Sequence, residues 1–415
     1  MKLNLQKQKR QKGSVLVVTL IVGVVLLIGM SSYLQLVSVQ TVSVARSQLW
    51  NDALTVAEAG IEEGLAQMNN SPNQLSKNLW GKSGANFGPV TRDLAIGSFG
   101  VMIVTNPAPT VYSTGYVTVP VSGAVVARRV KVTVAPQPLI GLGLGTVFNI
   151  DFNGNGIAVN SWDSSNPSLS TNGRYDSSKT STNGDVASQQ GLVNIGNHTI
   201  QGNLYLGPTA SYVSNTGQVS GKIYSDYNVQ IPDVELPVPD NGNWLVAPSS
   251  GSGGSQVHDF QSSGYYWVND SAKIIVEAGV TVTLDVRTSS FNPAAVEILG
   301  GVANSGSLNV YQESGSMTVA GNTAATASLK PQNLYYFGLP GVTSITFSGN
   351  STFTGVIYAP EAALTLNGGG GNNGLVGAAI TKSVQMNANY DIHYDESLAR
   401  TGPIRTYVAS SWQEF

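Results

Sequence analysis

Three histidines, His198, His258 and His393, are the chain's candidates for acid–base or metal chemistry, because the sequence contains no cysteine. They lie far apart, unlike the paired histidines of a metalloprotease helix. His393, within Ile-His-Tyr-Asp-Glu, is expected at the surface end of a strand. Asp163, Asp176, Asp185, Asp226, Asp233 and Glu235 are scattered, and nothing in one dimension sets two of them across a scissile glycosidic bond. Asp151-Phe-Asn-Gly-Asn-Gly156 imitates the start of a calcium loop, yet Trp162 stands where that loop needs its bidentate glutamate. An Asn/Gly corner is expected there instead. Serine-nucleophile motifs and phosphate-cradling glycine loops are absent. The sequence therefore predicts a protein that is not an enzyme and holds no cofactor and no metal.

Binding chemistry is better represented. Tyr205, Tyr212, Tyr224, Tyr227, Tyr265, Tyr266, Trp267, Tyr335 and Tyr336 are amphipathic rings in a chain poor in charge, suited to a glycan or another surface ligand as well as to core filling. An adhesive role requires several of them on one exposed face. The formal net charge of −3 argues against nucleic acid as a main partner, since phosphate binding needs a concentrated basic surface. Arg128, Arg129 and Lys131 form one small basic cluster, expected on the solvent face of a strand.

The elements that must position these residues begin with a membrane segment. Lys2, Lys7, Lys9, Arg10 and Lys12 precede Gly13, and from Ser14 to Ala45 there is no charged side chain. The positive-inside rule keeps that leader in the cytoplasm and sends the rest outward. Helix-forming residues continue through Leu49, Ala53, Val56, Ala57, Ile61, Leu65 and Met68. About 55 helical residues make roughly 80 Å, far beyond the roughly 30 Å hydrocarbon core, so half the helix stands outside the bilayer. A secretory signal cleaved after Ser43-Val44-Ala45 and a plain membrane anchor are alternatives. The apolar region from Ser14 to Val37 is too long for the first. The second leaves the continuing helix unexplained.

Three runs carry a resemblance: Lys-Gln-Lys-Arg-Gln-Lys-Gly at 7 to 13, Ser-Val-Leu-Val-Val-Thr-Leu-Ile-Val from Ser14, and Ala-Glu-Ala-Gly-Ile-Glu-Glu-Gly-Leu at 57 to 65. Together they resemble the start of type IV pilin-like proteins, and of minor pilins in particular. The resemblance implies that prepilin peptidase cuts between Gly13 and Ser14 and methylates the new N-terminus. It also implies a bacterial inner-membrane location before assembly, a pilus or cell-surface location afterwards, and other pilin or pseudopilin subunits as partners. Major pilins of that family carry glutamate at the fifth mature position, which is Val18 here. A subunit without it leaves a neighbour's terminal ammonium unpaired in an apolar filament core, which suits a tip, an initiation complex or a low-copy position.

Ala57, Gly60, Ile61, Gly64, Leu65 and Met68 recur at three- and four-residue steps as one apolar stripe for helix packing. Gly60 and Gly64 allow another backbone to come close. The stripe serves either neighbouring subunits or the chain's own first sheet. Asn69-Asn70-Ser71-Pro72 stops the helix. Alternating runs at Gly100–Val104, Val111–Val119 and Ala124–Val134 predict an antiparallel meander within a small domain over 71–136. A Gly/Pro hinge over 137–145 follows.

From 146 to 415 the sequence is rich in Gly, Asn, Ser, Thr and Val. Ile345-Thr-Phe-Ser-Gly349, Leu364-Thr-Leu-Asn-Gly368 and Val384-Gln-Met-Asn-Ala388 recur at steps of about twenty residues, the length of one β-solenoid coil. The expected fold class is mainly β with a long N-terminal helix: a pilin-like helix with a small antiparallel sheet, then a right-handed parallel β-helix, with a β-sandwich as the alternative. Three prolines between Val229 and Asp240 predict an irregular crossing near 229–255 between two parts of the solenoid. The region also resembles an uncharacterised β-rich domain attached to pilin-like helices, whose closing segment runs like Phe353 to Leu398. The predicted function is a minor pilin-like structural subunit that displays a β-solenoid. A membrane-tethered carbohydrate-active β-helix enzyme and a pseudopilin of a type II secretion system are the alternatives.

Overall fold

The computed structural model describes residues 14–415 except positions 71, 74, 76–79, 84–85, 121–122, 238, 240–241, 302–303, 321–323, 326–329, 350, 369–373 and 388–389. The basic leader and Gly13 thus lie outside the described residues. The chain is mainly β with one long N-terminal helix. It forms two compact units, one running through Gln137 and including Thr406–Phe415, the other Pro138–Arg405.

In the first unit, α1 (Ser14–Asn70) precedes β1 (Lys82–Ser83), β2 (Asn86–Leu94), β3 (Gly97–Val104), β4 (Thr110–Thr118) and β5 (Val125–Pro138). These five strands pair antiparallel in sequence order. The predicted meander is present, extended by β2, whose short apolar alternation around Gly88 and Pro89 hid it. A sixth strand, Ile404–Glu414, lies beside β5. The sequence places these last residues with the solenoid; they return instead to the first sheet. Arg128 holds the returning strand through two bonds to the Glu414 carboxylate, and Phe415 N–H donates to the Arg129 carbonyl at 3.2 Å.

In the second unit the ladders are parallel and join segments roughly one coil apart. Ile345 stands beside Leu364, and Leu364 beside Val384. These are the three repeats seen in the sequence. Inward rows from the ladders share one apolar core that includes Leu144, Ile200, Leu284, Tyr336, Phe353 and Ile392. At one corner the Asn387 amide donates to Asn367 at 2.6 Å and the Asn153 amide to Asn387 at 3.4 Å. Gly349 and Gly368 turn there with φ of 71° and 113°, which glycine adopts without strain.

The strands are not stacked in chain order. Val384 pairs with Ile150, and Ala379 with Leu144, so the last turns of the unit lie against its first. One ladder consequently runs from Leu245–Val246 through 264–268, 281–286, 307–312, 334–337, 356–359 and 379–381 to 144–146, 186–188, 204–206 and finally Ile223–Tyr224. Its ends are joined by the proline-rich segment after Tyr224. Ten strand spacings of about 4.8 Å make about 48 Å, well within the roughly 66–72 Å that some twenty residues reach at full extension. The expected hinge over 137–145 is partly built into this unit, with Ile140 buried and Leu144–Thr146 forming a strand.

Candidate functional site

The first candidate surface is α1 itself. No residue from Ser14 to Asp52 is buried, and the large apolar side chains from Val15 to Val44 are exposed. The helix has 57 residues, about 85 Å at 1.5 Å each. By length and composition it contains a segment fit to cross a membrane. Thr19 and Thr41 return their hydroxyls to the carbonyls of Leu16 (3.0 Å) and Val37 (2.8 Å), which satisfies these two donors within the helix. Ser14 is the first described residue of the helix and is exposed.

The stripe is placed differently from its neighbour-packing alternative. Ala57, Gly60, Ile61, Gly64 and Met68 are buried and Leu65 is half-buried, against the protein's own β3 and β4. A methyl group at Gly60 would meet Ser113 and Phe99, and one at Gly64 would meet Val111 and Val101. Gly115 of β4 lies directly under the Ala53 and Ala57 backbone. Three glycines thus let helix and sheet approach closely. Two residues of the basic cluster are engaged within the fold: Arg128 lies over the Trp50 ring at 4.9 Å besides binding Glu414, and Lys131 lies 5.9 Å from the Phe415 ring.

The candidate titratable groups are separated by the fold. His198 is buried, edge-on to Phe152 at 5.7 Å. His258 sits between the Pro248 carbonyl (2.7 Å) and Asp270 (2.8 Å). His393 is buried, contrary to its expected surface position, because Tyr175 stacks on it at 4.0 Å. Its Nδ1 meets Asn160 Oδ1 at 2.7 Å. Burial pulls the His393 imidazole down to about 3, and burial raises nearby Asp391 to about 6. Asp163 is desolvated, but Ser165 and Arg400 outweigh that and hold it below the usual carboxylate range. Asp176 accepts from Ser178 and Thr171, and Asp185 from Asn203. Asp226, Asp233 and Glu235 are exposed. Asp151 accepts from Asn153 (3.1 Å) and Asn194 (2.9 Å), as a corner residue does. Among the described residues no three His, Asp or Glu side chains converge as a metal cluster.

The aromatic residues divide by strand alternation. Tyr266 and Tyr336 point into the core; Tyr336 donates to Gln312 at 2.6 Å. Tyr212 packs against the core's end, half-buried. On the outward side, one row of lateral neighbours runs Trp267, Asp285, Tyr311, Phe337, Tyr358, Ile380, Gly145, Ala187, Tyr205, Tyr224. Tyr311, Phe337 and Tyr358 belong to it although sequence reasoning did not single them out; their period-two offset from inward Val310 and Tyr336 was the available signal. The middle of the row is covered. Val234 and Ile231 pack with Phe337, Tyr358 and Tyr335, and Tyr358 donates to the Pro232 carbonyl at 2.6 Å. At one end Trp267 carries Arg287 at 4.6 Å, with Tyr265 edge-on to Trp244 at 5.4 Å nearby. At the other, Tyr205 and Tyr224 stack at 5.0 Å, with Tyr227 6.1 Å from Tyr205.

Comparison with known proteins adds three findings. Residues 246–401 match the family model described as Domain of unknown function (DUF7305). No curated protein matches the chain. Among solved structures, the competence-associated pilin ComZ from Thermus thermophilus is similar at 12% identity, covering 88% of this chain and 97% of that one, with a TM-score of 0.30.

Proposed function

We propose that this protein is a type IV pilin-like minor subunit that assembles through α1 and displays its second unit outward for adhesive or other surface contacts, without catalysing a reaction. One observation carries the proposal. A single continuous helix is divided in use: residues 53–68 dock on the chain's own sheet through a glycine-bearing face, while residues 14–45 include no buried side chain and no charge and present an apolar rod. Such a rod is stable in lipid or among similar rods, and in neither case as a free surface in water.

In this proposal the leader stays cytoplasmic, prepilin peptidase removes it after Gly13, and Ser14 becomes the methylated N-terminus. Ser14 to Val37 then passes from the inner membrane to contacts with other pilin subunits. Val18 supplies no carboxylate for a neighbour's ammonium, which favours a tip or low-copy place. The second unit is read as a right-handed parallel β-helix. Parallel pairing at steps near twenty residues around one core supports that reading, whereas a sandwich is built from antiparallel strands.

Mass spectrometry of the mature protein from its own cells tests the proposal. The expected N-terminal peptide begins at methylated Ser14. A peptide beginning at Met1 indicates a plain anchor and one beginning at Arg46 a secreted protein; either overturns the assignment.

A further inference from the structure

The stacked-tyrosine end of the outward row borders a cleft of about 560 Å³, within the usual range of small-ligand sites. Its lining includes Gln189, Gln190, Thr209, Tyr227, Asn228 and Gln230. One wall is the strand and turn leading to Thr209, where Ala210 N–H donates to the Gly207 carbonyl at 3.0 Å. The other wall is the start of the proline-rich crossing. It is tied down by Tyr227 N–H to the Leu206 carbonyl at 3.0 Å and by the Gln189 amide to the Val229 carbonyl at 2.5 Å.

The chemistry of this lining is narrow. Four carboxamides and a hydroxyl supply donors and acceptors side by side. No charged side chain lines the cleft; Arg405, the cation acting on Tyr227, lies outside the lining. Burial raises the Tyr227 phenol, so the ring stays neutral. Beside it Tyr205 and Tyr224 lie nearly parallel, 9° apart, and Tyr224 is 38% exposed. A pyranose needs both halves of this arrangement: amides that exchange hydrogen bonds with its hydroxyls, and an aromatic plane against its C–H face. An acidic glycan would require a cation in the cleft, and none lines it.

We propose that the cleft beside Tyr205, Tyr224 and Tyr227 is a binding site for a neutral glycan. The proposal rests on the display role given above and assigns that display a ligand class. It also gives the Gln189 contact a purpose, since it holds the crossing open as a wall rather than collapsed on the strand.

The test uses the full chain in detergent and calorimetric titration with linear pentasaccharides of glucose, mannose and N-acetylglucosamine, with tetragalacturonate and an unrelated decapeptide in parallel. At least one neutral sugar is expected to bind, with affinity unchanged between about 50 and about 500 mM NaCl because no charge is involved. Tyr227→Ala and Gln230→Ala are each expected to weaken binding by about tenfold or more, roughly 1.4 kcal/mol. Gln230→Ala leaves the thermal midpoint unchanged, so a folding defect in the tyrosine variant does not blur the result. Binding of tetragalacturonate or the peptide alone, no binding of any neutral sugar, or neutral-sugar binding undiminished in both variants overturns the proposal. Sheared surface fibres probed for the wild-type chain separate the two levels. A chain present there that binds no neutral sugar removes the cleft assignment only, and a chain that binds sugar but is absent there removes the display role only.

Discussion

Gly115 shows how closely α1 is held. A side chain there would strike the Ala53 carbonyl and the Ala57 amide, backbone atoms that cannot rotate away. Gly115→Ala is therefore expected to destabilise the first unit by about 1–3 kcal/mol. Gly100→Ala, where an added methyl meets nothing within 4 Å, should stay within about 0.5 kcal/mol of wild type. Chemical denaturation of the two variants checks the contrast. The stripe that sets up this contact was legible in the spacing of Gly60 and Gly64, but its destination was not, because a glycine pair invites any backbone and does not say whose.

His393 makes a second residue-scale prediction. Its folded pKa, about 3, lies below the ordinary histidine value of 6.5, so the folded state refuses a proton that the unfolded state accepts between those limits. Stability contributed by the neutral ring is present above about pH 6.5 and falls as pH drops toward 3, by about 1.4 kcal/mol per unit. Asp391 has the opposite sign: raised to about 6, it costs stability as pH climbs from 3.8 through 6. His393→Gln isolates the histidine. From pH 7 to pH 5 wild type should lose stability relative to the variant, measured by urea unfolding at both pH values; parallel pH profiles would contradict the assignment. Sequence reasoning put His393 at the surface because nothing near it in the chain announces the Tyr175 ring that covers it.

Among the elements, the proline-rich crossing fastens the second unit across its own rows. Tyr358→Phe deletes the bond to the Pro232 carbonyl and should cost about 1 kcal/mol, read as a lower unfolding midpoint with faster proteolysis of the crossing. Unchanged stability and proteolysis would mean that the crossing lies on the aromatic row without securing it. The coil repeat itself was legible. Ile345, Leu364 and Val384 recur at the coil step because each places an apolar side chain in the same inward row, and each is a lateral neighbour of the next. The pairing of Val384 with Ile150 was illegible, since a long-range closure leaves no local period. The same holds for Ile404–Glu414, whose alternation fits either unit and whose place is set by Arg128 and by the Asn69 amide, which both donates to and accepts from the Tyr407 backbone.

At the scale of the whole molecule, closure of the last turns on the first explains how a unit of this size is inserted into a small sheet. Its entry and exit are neighbours, with Leu139 N–H donating to the Pro403 carbonyl at 2.8 Å. Val18 decides how many copies a fibre holds in the proposed role. Val18→Glu, which supplies a buried partner for a neighbouring ammonium, should raise the chain's abundance in sheared fibres severalfold by quantitative immunoblot; unchanged abundance would show that the position does not control incorporation. The central claim, that the bare half of α1 exchanges lipid for other subunits, has a direct test because the native chain has no cysteine. A benzophenone maleimide attached to Leu26→Cys, a position 67% exposed, is irradiated in membranes and in sheared fibres. Lipid adducts in membranes and adducts to the N-terminal helices of other subunits in fibres are the predicted result. Lipid adducts in both fractions, with no protein partner in either, would contradict it.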